Sequence, residues 1–338
     1  MELDTTYLGL RLRNPLVASA SPLSQTVAGV RQLADAGVGA VVLPSLFEEQ
    51  LRREAEEFTR LTEAGTERFA EALSYLPTVL PDTPDGDVGS HRYLSLVQRA
   101  AGAVDVPVIA SLNGVTAAGW TDYATALQDA GAAAIELNIY YLPGDASTTG
   151  RDVDQRHIDV LTRVKAAVTV PVAVKLSPYF SSTGEIATRL DDAGADGLVL
   201  FNRFMQPDID PETLTVSTGI QLSSPDEARL PRAWIALLHG RVRASLAAST
   251  GVERATDVAA YLLAGADVVM TTSALLRHGP DHARILLDGL ARWIERKGFS
   301  SVDAVRGLLH VERDDRAGHG RAGYLDAIRE ATGWYQPG

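Results

Sequence analysis

The residue of this sequence that folding alone explains least well is Lys175, which stands inside the apolar run Val172-Ala173-Val174-Lys175-Leu176. A buried ammonium is costly unless something anionic meets it. Two partners are available: Glu136, in the preceding apolar run, and the anion of a ligand or substrate. The ligand is the expected partner, because charges at strand ends usually serve a site. Asparagines close three comparable runs, at Asn113, Asn138 and Asn202, and with Lys175 they make a ring of uncharged donors around one cation. Other runs close on Ser19-Ala20-Ser21, Ser45, Ser249-Thr250-Gly251 and Thr271-Thr272-Ser273. The last two are rich in Ser, Thr or Gly and each opens a helix, so backbone N–H groups there could cradle a phosphate dianion without arginine. Helix capping is the simpler account of such hydroxyls. It serves for Thr272 and Ser273 and fails for Lys175.

The elements that carry these residues announce themselves by repetition. Residues 35–43 read DAGVGAVVL, 129–137 DAGAAAIEL, 192–200 DAGADGLVL and 263–270 LAGADVVM. In each, a glycine (Gly37, Gly131, Gly194, Gly265) fits the left-handed position that ends a helix. The run that follows lacks the polar alternation of a half-wet strand and reads as a strand covered on both faces, as in a parallel sheet. A second pattern alternates with it: VDVPVIASL (104–112) and VTVPVAVKL (168–176), with Pro107 and Pro171 at the strand start, where a ladder donor is dispensable. The two recur together every ~63 residues, a βαβα unit. Strands are expected at about 15–20, 39–43, 107–112, 133–138, 171–176, 196–201, 245–249 and 267–271, with helices over 122–130, 155–167 and 255–263 between them. Eight such units without a composition break predict an α/β fold, a closed (β/α)8 barrel forming one domain over 1–338. Two connections exceed what a barrel needs, 44–106 after strand two and 202–244 after strand six. The first holds an acidic helix (Glu48–Thr62) and a Pro/Asp/Gly-rich loop (Pro81–Ser90); the second holds a small hairpin near Asp208-Ile209-Asp210-Pro211. Long insertions at strand C-termini usually cover an active site.

Composition narrows the function classes. With 31 Lys and Arg against 43 Asp and Glu, the net charge of −12 argues against general nucleic-acid binding. The absence of cysteine excludes disulfides, thiolate metal sites, iron–sulfur clusters and a cysteine base. His157, His239, His278, His310 and His319 are scattered without metal-ligand spacing, so no metal is expected; His91 could reach a lid. Arg203, beside Asn202, could meet a substrate anion or pair on a helix surface. The acidic, polar N-terminus is unlike a signal peptide, and no apolar run approaches the ~18 residues of a membrane span. A cytoplasmic protein, not membrane-bound, is expected.

The segments NPLVASAS (14–21), SLNG (111–114), ELN (136–138), VAVKLSPYF (172–180) and STGVERATDVAAYLLAGADVVMTTSALLRHGP (249–280) resemble the dihydroorotate dehydrogenase family. FNRFMQPDID (201–210) is similar to its soluble, class 1-like "dihydroorotate dehydrogenase-like" branch. The resemblance runs from strand one to strand eight and implies a TIM barrel, an FMN cofactor, a small-molecule substrate and a homodimer. It places Ser19, Ala20 and Ser45 along the flavin edge, and Asn113 and Asn138 near ring and substrate. Lys175 would face the N1/C2 region of the ring, where a cation stabilises the charge of the reduced form. Asn202 would reach ring or substrate, and Thr250-Gly251 with Thr272-Ser273 would hold the phosphate.

Three departures from the family pattern bear on the substrate. After ELN the class 1 enzymes carry a Ser-Cys-Pro-Asn segment whose Cys is the base, whereas this chain has Ile139-Tyr140-Tyr141-Leu142-Pro143. The base position is then Tyr141, or Tyr140 if the loop shifts, and a tyrosine hydroxyl is a weak base near neutral pH. The family's Lys-Ser pair over the flavin is here Pro44-Ser45, which removes one cation. The Asn-rich stretch that holds orotate corresponds to Glu71-Ala72-Leu73-Ser74-Tyr75-Leu76-Pro77. A site loses a polar ring by large factors when its donors vanish. The expected function is an FMN-dependent oxidoreductase acting on a C–C or C–N bond of a small polar ring substrate, with dihydroorotate oxidation lost or replaced. The alternatives are an authentic dihydroorotate dehydrogenase, a catalytically silent flavin- or phosphate-binding barrel, and a barrel aldolase or isomerase using Lys175 as a Schiff base.

Overall fold

The computed structural model describes residues 2–49, 90–114, 120–204, 207–217, 219, 221–312 and 316–332. An antiparallel hairpin comes first, β1 (Thr5–Tyr7) and β2 (Leu10–Leu12). Strand and helix then alternate: β3 (Leu16–Ala18), α1 (Val27–Asp35), β4 (Ala40–Phe47), α2 (Ser90–Ala101), β5 (Val108–Asn113), α3 (Trp120–Asp129), β6 (Ala134–Asn138) and α4 (Gly150–Ala167). The alternation continues through β7 (Val172–Leu176), α5 (Thr183–Asp192) and β8 (Gly197–Leu200). A second hairpin, β9 (Asp208–Asp210) and β10 (Thr215–Ser217), lies in the long connection after β8, where a small hairpin is expected from the sequence. Then come α6 (Arg229–Leu238), β11 (Ser245–Ala248), α7 (Ala255–Ala264), β12 (Val268–Thr271), α8 (Ser273–His278), α9 (His282–Arg296) and α10 (Arg316–Thr332).

Eight parallel strands close into a barrel in the order β11-β12-β3-β4-β5-β6-β7-β8. All eight fall where the sequence predicts strands, six of them at the repeats. Among the described residues, no helix is long and apolar enough to cross a membrane. The repeated glycines act as expected: Gly37, Gly131, Gly194 and Gly265 have φ of 104°, 95°, 93° and 115°. At the end of α7 the Gly265 N–H bonds the carbonyls of Leu262 (2.9 Å) and Tyr261 (3.2 Å), which satisfies carbonyls the helix end would orphan. The chain can then turn directly into β12.

The interior of the barrel is graded. Its N-terminal half is apolar, with Val17, Ala40, Val42, Ile109, Ala134, Ala173, Val199, Ala247 and Val268 packed together. Tyr7, Leu8 and Leu12 of the leading hairpin close that end, and Leu8 N–H donates to Ser245 Oγ at 3.1 Å. Two residues further along five of the eight strands, on the same face by the two-residue period, the interior turns polar: Ser19, Ser111, Glu136, Lys175 and Ser249, all buried. One more step brings Asn113 and Asn138. The fold thus presents its polar side chains at one end.

Strand β4 differs from expectation. It runs through Ser45 to Phe47, so Ser45 is not its end. Between Val42 and Ser45 the pairing with β5 shifts by one residue, and Pro44 sits in that irregularity. Proline lacks the N–H that a regular ladder would need, and a bulge accommodates it. There the Tyr93 hydroxyl, from α2, accepts the Ser111 N–H (3.0 Å) and donates to the Ser111 carbonyl (3.2 Å). Positions 50–62 of the expected acidic helix, 81–89 of the expected loop and the whole 71–77 segment lie outside the described residues.

Candidate active site

A cleft of about 290 Å³ opens at the C-terminal ends of the strands. Of the residues expected to form the site, Ser19, Ala20, Lys175, Asn202, Thr250, Gly251, Thr272 and Ser273 line it. They come from β3, β7, β8, β11 and β12 or the turns that follow them. Ser45, Asn113, Asn138, Tyr140 and Tyr141 do not line this cleft. Ser45 Oγ instead hydrogen-bonds Ser111 Oγ at 2.8 Å. Asn138 Oδ1 accepts from Asn202 Nδ2 at 2.7 Å, which couples the β6 end to the cleft through one residue.

Lys175 lies at the floor with its side chain 10% exposed. Its ammonium stands 3.4 Å from Glu136 Oε1, and Glu136 is 1% exposed. The ion pair that the sequence reading ranked below a ligand anion is therefore formed. The geometry explains it: β6 and β7 are adjacent, with Asn138 level with Lys175, so Glu136 is one interior step below on the neighbouring strand. The other oxygen, Glu136 Oε2, is buried with no hydrogen-bond partner among the described residues.

The expectation that Thr272 and Ser273 cap their helix is not met. Thr272 makes no side-chain cap bond; its hydroxyl donates to the Ser19 carbonyl at 3.2 Å. Ser273 Oγ accepts from Ser223 N–H (3.0 Å) and Ser223 Oγ (2.9 Å). Ser223 Oγ also accepts the Gly251 N–H at 3.2 Å. Ser223 is thus a site residue that sequence reasoning missed, together with its neighbours Gln221 and Leu222. It sits in an irregular insertion, where no periodicity marks which face points inward.

The turn after β11 is tightly built. Thr250 and Gly251 have φ of 81° and 72°. A Cβ on Gly251 would come within 2.8 Å of Ala228 Cβ, Ala228 N and Ser224 O, so only glycine allows the insertion to approach. Two arginines tie that insertion down from either side. Arg203 pairs with Glu227 (2.8 Å) and donates to the Gln221 carbonyl. Arg277 donates to the Ser223 carbonyl (2.7 Å) and pairs with Glu253 (2.6 Å). For Arg203, the surface pairing named from sequence is the contact observed.

The two tyrosines of the loop after β6 are held apart. The Tyr140 ring lies 4.1 Å from the Phe204 ring, in the turn beyond Asn202, and Phe204 also meets Tyr179 at 5.8 Å. The Tyr141 ring is covered by the Arg156 guanidinium of α4 at 4.1 Å. The loop brings Tyr140 toward the β8 turn and Tyr141 toward α4.

A parallel eight-stranded barrel whose strand ends gather a lysine, amides and hydroxyls into one cleft is the architecture of a barrel enzyme. Comparison with known proteins gives the family. The sequence profile described as "Dihydroorotate dehydrogenase" matches residues 83–294. The chain is 27% identical over 315 residues to the catalytic subunit of dihydroorotate dehydrogenase B (NAD(+)) of Methanothermobacter thermautotrophicus, covering 91% of this chain and 98% of that one. It is 28% identical over 315 residues, again 91% and 98%, to a putative dihydroorotate dehydrogenase A (fumarate) of Aeropyrum pernix. To the NAD-dependent dihydropyrimidine dehydrogenase subunit PreA of Escherichia coli it is 23% identical over 338 residues, 91% of this chain and 77% of that one. The chain belongs to the dihydroorotate dehydrogenase family, and is an oxidoreductase.

Proposed function

We propose that the protein is an FMN-dependent oxidoreductase that acts on a small polar ring substrate other than dihydroorotate. The observation that carries the reading is the cleft itself: one ammonium at its floor and a wall of hydroxyls and a glycine turn. This donor set fits FMN. The Thr250-Gly251 turn with Thr272 and Ser273 would hold the phosphate, Ser19 and Ala20 would line the ring edge, and Asn202 and Lys175 would bond its polar atoms. Ser45, Asn113 and Asn138, set back from the cleft, would complete the far side of ring and substrate. The glycine at 251 supports a phosphate site, because it keeps the turn free of a side chain. Bound there, FMN would supply two-electron exchange with the substrate.

The chain's own residues would do the rest. Lys175, its side chain 10% exposed, would stabilise negative charge arising on the ring as a fixed cation. Asn202 and Asn138, already joined at 2.7 Å, would orient the substrate as a unit. Tyr140 or Tyr141 would hold or take the substrate proton, a role the absent cysteine cannot fill. The departure from dihydroorotate is supported by Tyr141 in the base position, where the family's cysteine would take the substrate proton; Pro44 in place of a lysine takes one cation from over the flavin.

The same reading makes the protein a homodimer with a small-molecule substrate, the first part measurable by sedimentation. The principal test is the visible spectrum of the purified protein, with mass analysis of any chromophore released on denaturation, followed by turnover assays with an artificial acceptor. Flavin bands and released FMN, with no oxidation of dihydroorotate, are expected. A protein that is colourless and takes up no FMN overturns the cofactor, and rapid dihydroorotate oxidation overturns the substrate.

A further inference from the structure

Glu136 is the least comfortable group in the barrel. It is 1% exposed, its one ion pair is long at 3.4 Å, and its second oxygen has no partner among the described residues. Buried carboxylates are normally paired and saturated with hydrogen bonds, and an apolar residue of similar size would pack here without that penalty. Nothing below it calls for a charge: the interior beneath is Ala134, Ala173, Ile109 and the Tyr7 plug. Burial, and after it the charge of Glu136, push the Tyr7 hydroxyl well above its ordinary range, which keeps it neutral. The partner that gives the carboxylate a purpose is Lys175, which faces Glu136 from β7 and the cleft from its own tip.

We propose that Glu136 is a positioning residue: its carboxylate holds the Lys175 ammonium at the floor of the cleft and tempers how strongly that cation stabilises negative charge on a bound ring. The inference rests on the FMN reading above. A lysine on a four-carbon stem has many rotamers, and an anion one step down the adjacent strand selects the one in which the ammonium faces Glu136 at the cleft. The pair also sums to zero charge. A ring above a lone buried cation would be driven toward its reduced, more negative form, whereas above a neutral pair the drive is weaker. Lys175 and Glu136 are both buried, where charges are less screened than in water, so the difference is felt at the ring.

The test is the reduction potential of FMN-loaded protein, read against reference dyes, for wild type and Glu136→Gln. The amide keeps the size of the side chain and an oxygen for Lys175 to bond, and removes only the charge. We expect reduced FMN to gain on oxidised FMN by tenfold or more in relative affinity, a rise of about 30 mV for a two-electron couple. A purely structural role would change melting temperature and leave the potential where it was, so an unchanged potential in folded, loaded variant overturns the proposal. If Glu136→Gln does not fold, Glu136→Asp carries the test. It keeps the charge and withdraws it by one methylene, so a smaller rise is expected and no rise again overturns the proposal. Wild-type protein that binds no FMN overturns the underlying reading instead, which separates the two failures.

Discussion

Tyr261 and Thr250 are joined by a hydrogen bond of 2.7 Å from the tyrosine hydroxyl to the threonine carbonyl. The hydroxyl also lies 3.1 Å from the Ser249 carbonyl and 3.4 Å from that of Ala228. One buried donor on α7 thus faces the turn after β11 and the insertion that packs on it. Burial pushes the hydroxyl above its ordinary range, so it keeps its proton for this purpose. Thr250 takes a left-handed φ of 81° without being glycine, and such a residue persists when its surroundings hold it.

Tyr261→Phe therefore should loosen the turn. Loss of the bond leaves buried carbonyls short of a donor, at a cost of about 1–3 kcal/mol. Thermal unfolding would register that loss, and FMN titration should show weaker uptake, with the phosphate side of the cleft affected first. Unaltered FMN affinity would mean that the turn keeps its shape unaided.

Gly251→Ala should be worse than an ordinary surface change. The new methyl would meet Ala228 and the Ser224 carbonyl at 2.8 Å, on a residue with φ of 72°. Left-handed strain and overpacking together predict a loss of about 2 kcal/mol or more, measurable in urea. Ser223 should be displaced with it, because its hydroxyl bonds the Gly251 N–H.

His157 makes stability depend on pH in a stated direction. The ring is 2% exposed, Nδ1 bonds the Val153 carbonyl at 2.8 Å, and Nε2 is buried without a partner among the described residues. Burial holds its pKa below the usual value, since a second N–H would point at no acceptor. Above about pH 6.5 the ring is neutral in both folded and unfolded chains and adds no dependence. Below that, the unfolded chain binds a proton that the folded one resists, and stability falls until the folded pKa is reached. His157→Gln should flatten part of that fall in denaturation curves taken between pH 7.5 and 5. His239, shifted the same way by burial, should account for a remaining slope.

Tyr141→Phe and Tyr140→Phe separate the two proton-carrying candidates. Whichever hydroxyl moves the proton, its loss should lower turnover by about 10²–10⁴-fold while FMN content holds. The other variant should act through packing alone: Tyr140→Phe keeps the ring against Phe204, and Tyr141→Phe keeps the ring under Arg156. Equal, small effects from both would remove tyrosine from the mechanism.

The barrel was readable because its strands are buried on both faces and end alike. Each Ala-Gly terminator has to adopt a positive φ, so glycine marks the boundary and the apolar run after it marks the strand. The leading hairpin escaped notice for the converse reason. Its turn places Leu8 and Gly9 at φ of 55° and 73°, and a leucine there lacks the Asn-Gly or Asp-Gly signature that advertises such turns. Within the site, side chains closing an apolar run could be assigned to the barrel mouth by alternation alone. The same alternation puts Glu136 inside, two residues before Asn138, so its pairing with Lys175 was open to the same logic. Ser223 was not: its position depends on where an aperiodic insertion lands. Nor does spacing tell that Tyr140 turns toward Phe204 while Tyr141 turns toward α4.

The plug formed by Tyr7, Leu8 and Leu12 makes the barrel, among the described residues, a vessel closed below and open at the cleft. A water molecule or a small quencher bound for Glu136 finds the lower route filled by side chains, and the cleft where Lys175 stands lies at the other end. Occupying the cleft would then close that approach to the carboxylate, so access to the innermost acid becomes a property of what sits in the mouth.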